Sequence, residues 1–143
     1  MAALDLAGLP GTTRLDDRKA LDRIIAEHGW PGRSLVGVDG AQAAWLIAQH
    51  ADFDVEFQKG CRDLLEEAFR LGEAEGNALA YLTDRILDAE GSPQMYGTQG
   101  VGVFSPEDER RVDGNRKALG LDPWRVYFYK VSKRGTKHRG FPP

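Results

Sequence analysis

Apolar residues return at helical spacing along most of the chain. After Thr12 and Thr13, Leu21, Ile24, Ile25 and His28 stand at i, i+3, i+4 and i+7, with Asp16, Asp17, Lys19, Asp22, Arg23 and Glu27 between them. That pattern predicts an amphipathic helix closed by Gly29 and Pro31. A second helix is expected from an Asp39 cap to His50. From Gly40 to Ala51 it holds no Asp, Glu, Lys or Arg, and a helix without a charged face is buried on most sides. Gln42, Gln49 and His50 would then lie in or beside the interior, where each needs a hydrogen-bond partner. A third helix fits Phe53 to Leu71 with Asp52 as cap, and carries Phe53, Phe57, Cys61, Leu64, Ala68 and Leu71 on one side. The fourth, Asn77 to Glu90, turns Leu79, Leu82, Ile86 and Ala89 inward. Gly91, Ser92 and Pro93 end it.

The segment 91–104, GSPQMYGTQGVGVF, reads as a glycine-rich loop with a short extended piece at Val101 to Phe104. Ser105 as N-cap, Pro106 at the first helical position and Glu107 and Asp108 in the first turn open a fifth helix that ends at Gly120. Trp124 to Val131, rich in aromatic and branched residues, is compatible with a strand or with a short helix after Pro123. The expected fold is mainly α, about five helices in an orthogonal or bundle-like arrangement, with room for one short C-terminal strand. Residues 1–11 form a leader, 12–129 a single helical domain and 130–143 a basic C-terminal tail containing Lys130, Lys133, Arg134, Lys137 and Arg139.

Composition removes several function classes. With 19 Lys and Arg against 22 Asp and Glu, the 143-residue chain has a net charge of −3 and no overall basic footprint, so nucleic acid is an unfavoured partner. No apolar run is long enough to span a bilayer and the start lacks a signal-peptide pattern, so a soluble, cytoplasmic protein with no membrane partner is expected. The single cysteine, Cys61, lies on an apolar stripe and reads as core. His28, His50 and His138 are too scattered for a metal site, and none is expected. No phosphate-binding loop, dinucleotide fingerprint or nucleophile elbow occurs, so no cofactor is expected.

The remaining chemistry concentrates in three places. His50 shares a stripe with Ala43, Leu46 and Ile47; it suits either a general acid or base near neutral pH or a core imidazole bonded to a carbonyl. On the fourth helix Tyr81, Asp84, Arg85 and Asp88 form a polar stripe. Such a stripe is normally a solvated face, but this one leads directly into Gln94, Tyr96, Thr98 and Gln99, interleaved with glycines. Gln94 and Gln99 could orient a polar ligand and Arg85 could clamp a carboxylate or phosphate; alternatively the loop only satisfies helix ends. Trp30 and Trp45 read as core or as cavity walls, with Gln49 one turn from Trp45.

Taken together, Gly29-Trp30-Pro31, Gln49-His50-Ala51-Asp52, Leu82-Thr83-Asp84-Arg85 and Gln94-Met95-Tyr96-Gly97-Thr98-Gln99 resemble the signature of an uncharacterised bacterial, mainly actinobacterial, family of unknown function. The resemblance runs from about Arg14 to Tyr129 and takes in Asp113, Arg116 and Gly120-Leu121. It implies that Trp30, Gln49, His50, Asp84, Arg85, Gln94, Tyr96 and Gln99 belong to the family pattern, and it implies no activity. The chain departs from that pattern after Gln99 and in its basic tail.

Three functions compete at this point. The first is a metal-independent enzyme acting on a small polar substrate by hydrolysis, elimination, cyclisation or isomerisation. In it His50 is the acid or base, Asp84 or Gln49 orients it, Tyr96 donates a proton, Arg85 and Gln94 anchor substrate with Gln99, and Trp30 and Trp45 form the walls. The second is a noncatalytic module for a small ligand or a protein, its basic tail contacting an acidic partner. The third is an RNA-directed effector using Arg85, Arg116 and the tail. Convergence of His50, Asp84, Arg85, Gln94 and Tyr96 on one pocket would favour the first.

Overall fold

The computed structural model describes residues 14–100 and 104–135. The leader, residues 101–103 of the expected extended piece and the tail beyond residue 135 lie outside the described residues. Six helices follow in order: α1 (Arg14–His28), α2 (Arg33–Gln49), α3 (Val55–Arg70), α4 (Gly76–Ala89), α5 (Pro106–Ala118) and α6 (Trp124–Gly135).

Helices α1, α3, α4 and α5 lie where the periodicity places them, but Phe53, Leu64, Leu71 and Ala89, expected on inward faces, are exposed, and α3 buries Gln58 and Leu65 beside Cys61 and Ala68. Asp54, not Asp52, caps α3 by accepting from Phe57 N at 3.0 Å. Ser105 caps α5 through Asp108 N, with Pro106 in the first turn. Helix α2 starts earlier than its uncharged stretch suggested. Gly37, at φ +78°, lets the turn beginning at Arg33 join the helix across a kink.

The C-terminal element corrects the expectation of a strand. Trp124 to Gly135 is helical, and the count of helices is six where about five were expected. Among its aromatic and branched residues, Trp124, Tyr127 and Val131 are spaced three and four apart. Trp124 and Val131 are buried and Tyr127 is half-buried, while Val126, Phe128 and Tyr129 face outward. Pro123 supplies the break and the 3.6-residue period decides the geometry; β-propensity is the weaker signal here. The helix also continues past residue 129, so Lys130 to Arg134 belong to it.

Helix α4 forms the centre. It packs most extensively on α3 and then on α2, while α1 covers α2, and α5 and α6 form a pair of their own. Leu21, Ala44, Ala48, Cys61, Leu65, Leu82 and Ile86 are all essentially inaccessible. Burying a large aliphatic side chain of this kind contributes about 1.5–3 kcal/mol. Alanines 44 and 48, wholly buried, keep α2 close to its neighbours.

Candidate functional site

Being central, α4 buries part of what reads in sequence as its solvated face. Tyr81 and Asp84 are inaccessible, Arg85 is half-buried and only Asp88 is open. Asp84, at 0% exposure, spends its carboxylate on the glycine-rich loop. Oδ1 accepts from Met95 N at 2.8 Å and Tyr96 N at 3.0 Å. Oδ2 accepts from Thr98 N at 2.9 Å and Thr98 Oγ1 at 2.8 Å. Burial pushes this carboxyl above its ordinary value, against four donors that pull it down.

The other side of the loop is read by α5 and α6. Arg111 Nη2 donates to the Gln94 carbonyl at 3.2 Å, Asn115 Nδ2 to Met95 at 3.0 Å, Arg116 Nη1 to Tyr96 at 2.8 Å and Trp124 Nε1 to Gly97 at 3.2 Å. Four successive carbonyls therefore belong to α5 and α6, and three amides of the same stretch belong to α4. The Gln94 side chain closes the loop on itself, accepting from Gln99 N at 2.9 Å and donating to the Gln99 carbonyl at 3.3 Å. Gln99 Nε2 reaches Thr98 Oγ1 at 3.3 Å. Gly97 is required twice over. Its φ is +69°, and a Cβ there would stand 2.6 Å from Trp124 Cδ1. Loop 94–99 is thus a clasp that fastens the α5–α6 pair to the other four helices.

His50 lies elsewhere, half-exposed at the C-cap of α2. Its imidazole is held below its ordinary pKa by burial, then by the positive charges of Arg85 and Arg14, with Asp52 opposing. Arg85 donates to Asp52 through Nε at 2.9 Å and Nη2 at 2.7 Å, a bidentate pair that holds the Asp52 carboxyl below its usual range. Beneath them Gln58 Nε2 caps α2 by donating to the carbonyls of Ala48 and Gln49 at 3.1 and 3.2 Å. Gln49 is wholly buried with neither amide atom bonded, and Gln58 Oε1 is likewise without a partner.

Trp30 and Trp45 meet at a third place. Together with Val38, Ala41, Leu65, Ala74 and Ala78 they line a mostly apolar cleft of about 130 Å³, with Arg33, Gln42, Glu75 and Asn77 supplying the polar edge. Trp45 is 8% exposed and its Nε1 is buried without an acceptor. Arg33 Nε is in the same condition, although its Nη2 lies 3.3 Å from Glu75. The Gly37 kink is what brings Arg33 and Val38 to this cleft from one helix.

The expected site residues therefore fall in four places. Asp84, Gln94 and Gln99 build the clasp; His50 and Arg85 share the polar cluster with Asp52, and Gln49 is buried without a partner; Trp30 and Trp45 share the cleft. Tyr96, buried, faces a separate recess with Glu66, Phe69, Thr83 and Leu119, and burial raises its hydroxyl pKa. His50 is not among the donors to Asp84. Sequence reasoning missed Asn115, Trp124 and Arg111 as partners of the loop, and Arg33 as part of the cleft. The i, i+4, i+5 placement of Arg111, Asn115 and Arg116 on one side of α5 was the available signal.

Among the described residues no group of three or more His, Cys, Asp or Glu is placed to hold a metal ion, and no helix is long and apolar enough to cross a membrane. Cys61 is buried, and burial pushes its thiol up to about 12. Neither curated proteins nor solved structures yielded a match to this chain. One family model, that of the family of unknown function DUF6624, matches residues 5–135, a span that includes all six helices, the clasp, the His50 cluster and the tryptophan cleft. The chain belongs to the DUF6624 family.

Proposed function

We propose that the domain is a noncatalytic binding module for a small ligand seated between Trp30 and Trp45. The observation that carries this reading is the apolar cleft lined by Trp30 and Trp45, behind which the Trp45 indole N–H is buried without an acceptor. An unsatisfied buried donor costs about 1–3 kcal/mol, which a ligand acceptor recovers on binding. Arg33, Gln42 and Asn77 bring donor side chains to the cleft's polar edge. The fitting ligand has a flat apolar body and a carbonyl or carboxylate. At about 130 Å³ the cleft matches the cavity of roughly 150 Å³ that accepts benzene in another protein.

Calorimetric titration of the full chain with benzoate and with benzamide tests the reading. Saturable binding is expected, weakened about tenfold by Trp45→Phe, which keeps an aromatic wall and deletes the donor. Full affinity in that variant, or no binding by either probe, would overturn it. The acid–base reading of His50 comes second. It is supported by the depressed imidazole pKa, which leaves a neutral base near neutral pH. It lacks Asp84 as orienting partner, because that carboxylate is committed to the clasp.

A further inference from the structure

Arg116 is 3% exposed, yet its guanidinium meets only neutral partners. Nε donates to the Asp122 carbonyl, Nη1 to the Tyr96 carbonyl, and the group lies over the Tyr127 ring, 4.5 Å from its centroid. No carboxylate forms an ion pair with it, although the charges of Asp84, Asp113 and Asp122 reach it. Asp84 holds the loop, Asp113 accepts from Trp124 N at 2.7 Å, and the Asp122 carboxylate takes Lys130 at 2.9 Å. A buried cation with no carboxylate in direct contact is stabilised further when an anion completes its surroundings.

Arg116 stands on the wall of a recess of about 200 Å³ whose other walls include Tyr81, Tyr127, Thr98, Asp122, Lys130 and Arg134. The hydroxyls of Tyr81 and Tyr127 lie 2.9 Å apart. Lys130 and Arg134 are one turn apart on α6, so they share a side of that helix. This combines a buried guanidinium, phenolic hydroxyls, the Arg134 cation and the Lys130–Asp122 ion pair around a space larger than a single anion. We propose that the recess is an oxyanion site that takes the carboxylate or phosphate group of a small molecule, with Arg116 as its buried charge and Lys130 and Arg134 at its rim. The site is separate from the tryptophan cleft, which it adjoins at Asn77, and does not depend on that reading.

The test is a titration of the full chain with inorganic phosphate and, separately, with acetate, at constant ionic strength balanced by chloride. Proton–nitrogen spectra report on Arg116 Nε–H and on the amides of Tyr127 and Lys130. A saturable shift is expected, and the anion that saturates at lower concentration identifies the chemistry. Removing Arg116 would also loosen the clasp, so rim and wall variants carry the decision. Arg134→Gln and Tyr81→Phe should each weaken binding about tenfold, with the urea midpoint of Arg134→Gln near that of the parent protein and that of Tyr81→Phe lowered by loss of its bond to Tyr127. Shifts that stay linear and equal to those in chloride, or saturation unchanged in both variants, would overturn the assignment. Binding of a single-stranded RNA oligonucleotide without saturation by either small anion would overturn it as well.

Discussion

Replacing Asp84 by Asn changes one atom type at the centre of the clasp, and the structure sets the size of the effect. The amide oxygen can keep Met95 N and Tyr96 N, which now lie 2.8 and 3.0 Å from Oδ1. The new NH₂ group faces Thr98 N, 2.9 Å from Oδ2, so donor meets donor. Thr98 Oγ1 can rotate to accept; the Thr98 amide cannot. Leaving that buried donor unsatisfied costs about 1–3 kcal/mol. The bonds that survive lose their charge assistance, roughly half their strength. Relief from burying a charge offsets part of this, because Asp84 is wholly inaccessible. A net loss of about 3 kcal/mol is expected, a large share of the roughly 5–15 kcal/mol that stabilises a domain. Urea unfolding measures the loss. Native-state hydrogen exchange should show Met95, Tyr96, Thr98 and the Trp124 indole losing protection together. A loss below about 1 kcal/mol with those sites still protected would refute the clasp.

Other consequences are equally open to measurement. Gly97→Ala should cost more than Gly37→Ala. Any side chain at Gly37, with φ +78° and ψ 174°, is strained by about 1–3 kcal/mol in open space, whereas at Gly97 the strain of its φ of +69° is joined by a carbon that would strike Trp124. Denaturation curves of the two variants decide this, and equal losses would contradict it. The His50 imidazole should titrate below 6.5 in proton NMR, and Arg85→Gln should move its midpoint upward by removing a nearby positive charge. Because the folded pKa is the lower one, the contribution of His50 to stability is complete above its unfolded pKa and is lost as pH falls toward the folded value. Cys61 should resist a thiol reagent at neutral pH in the native protein and react on unfolding, since burial both covers the sulfur and raises its pKa to about 12.

Much of the helical framework was legible because it obeys a single period with local punctuation. Ser105-Pro106 and the glycines at 29, 91 and 120 mark ends that depend on nearby residues alone. Helix α6 was ambiguous because its aromatic composition suits a strand, and only burial at Trp124 and Val131 reveals the helical stripe. Asp84 shows the limit more clearly. A carboxylate on an amphipathic helix normally faces water. Its burial follows from a loop that supplies four donors and from the central place of α4 against α2 and α3, neither of which is a local property. Likewise Gln94, Gln99 and Tyr96 were recognisable as a polar cluster beside glycines. Whether their groups turn toward a ligand or toward the backbone was not encoded in their spacing. Trp30 and Trp45 were expected as possible walls of one cavity and do share one, although Arg33 and the Gly37 kink that complete it were not read from the sequence.

The central claim, a ligand site at the Trp45 indole, is tested most directly by the indole N–H signals of Trp30, Trp45 and Trp124 during a titration with benzoate. The Trp45 signal should move and saturate as its proton gains an acceptor, while that of Trp124, already bonded to the Gly97 carbonyl, stays in place. A Trp45 signal that does not respond, or benzoate that shifts only residues remote from the cleft, would contradict it.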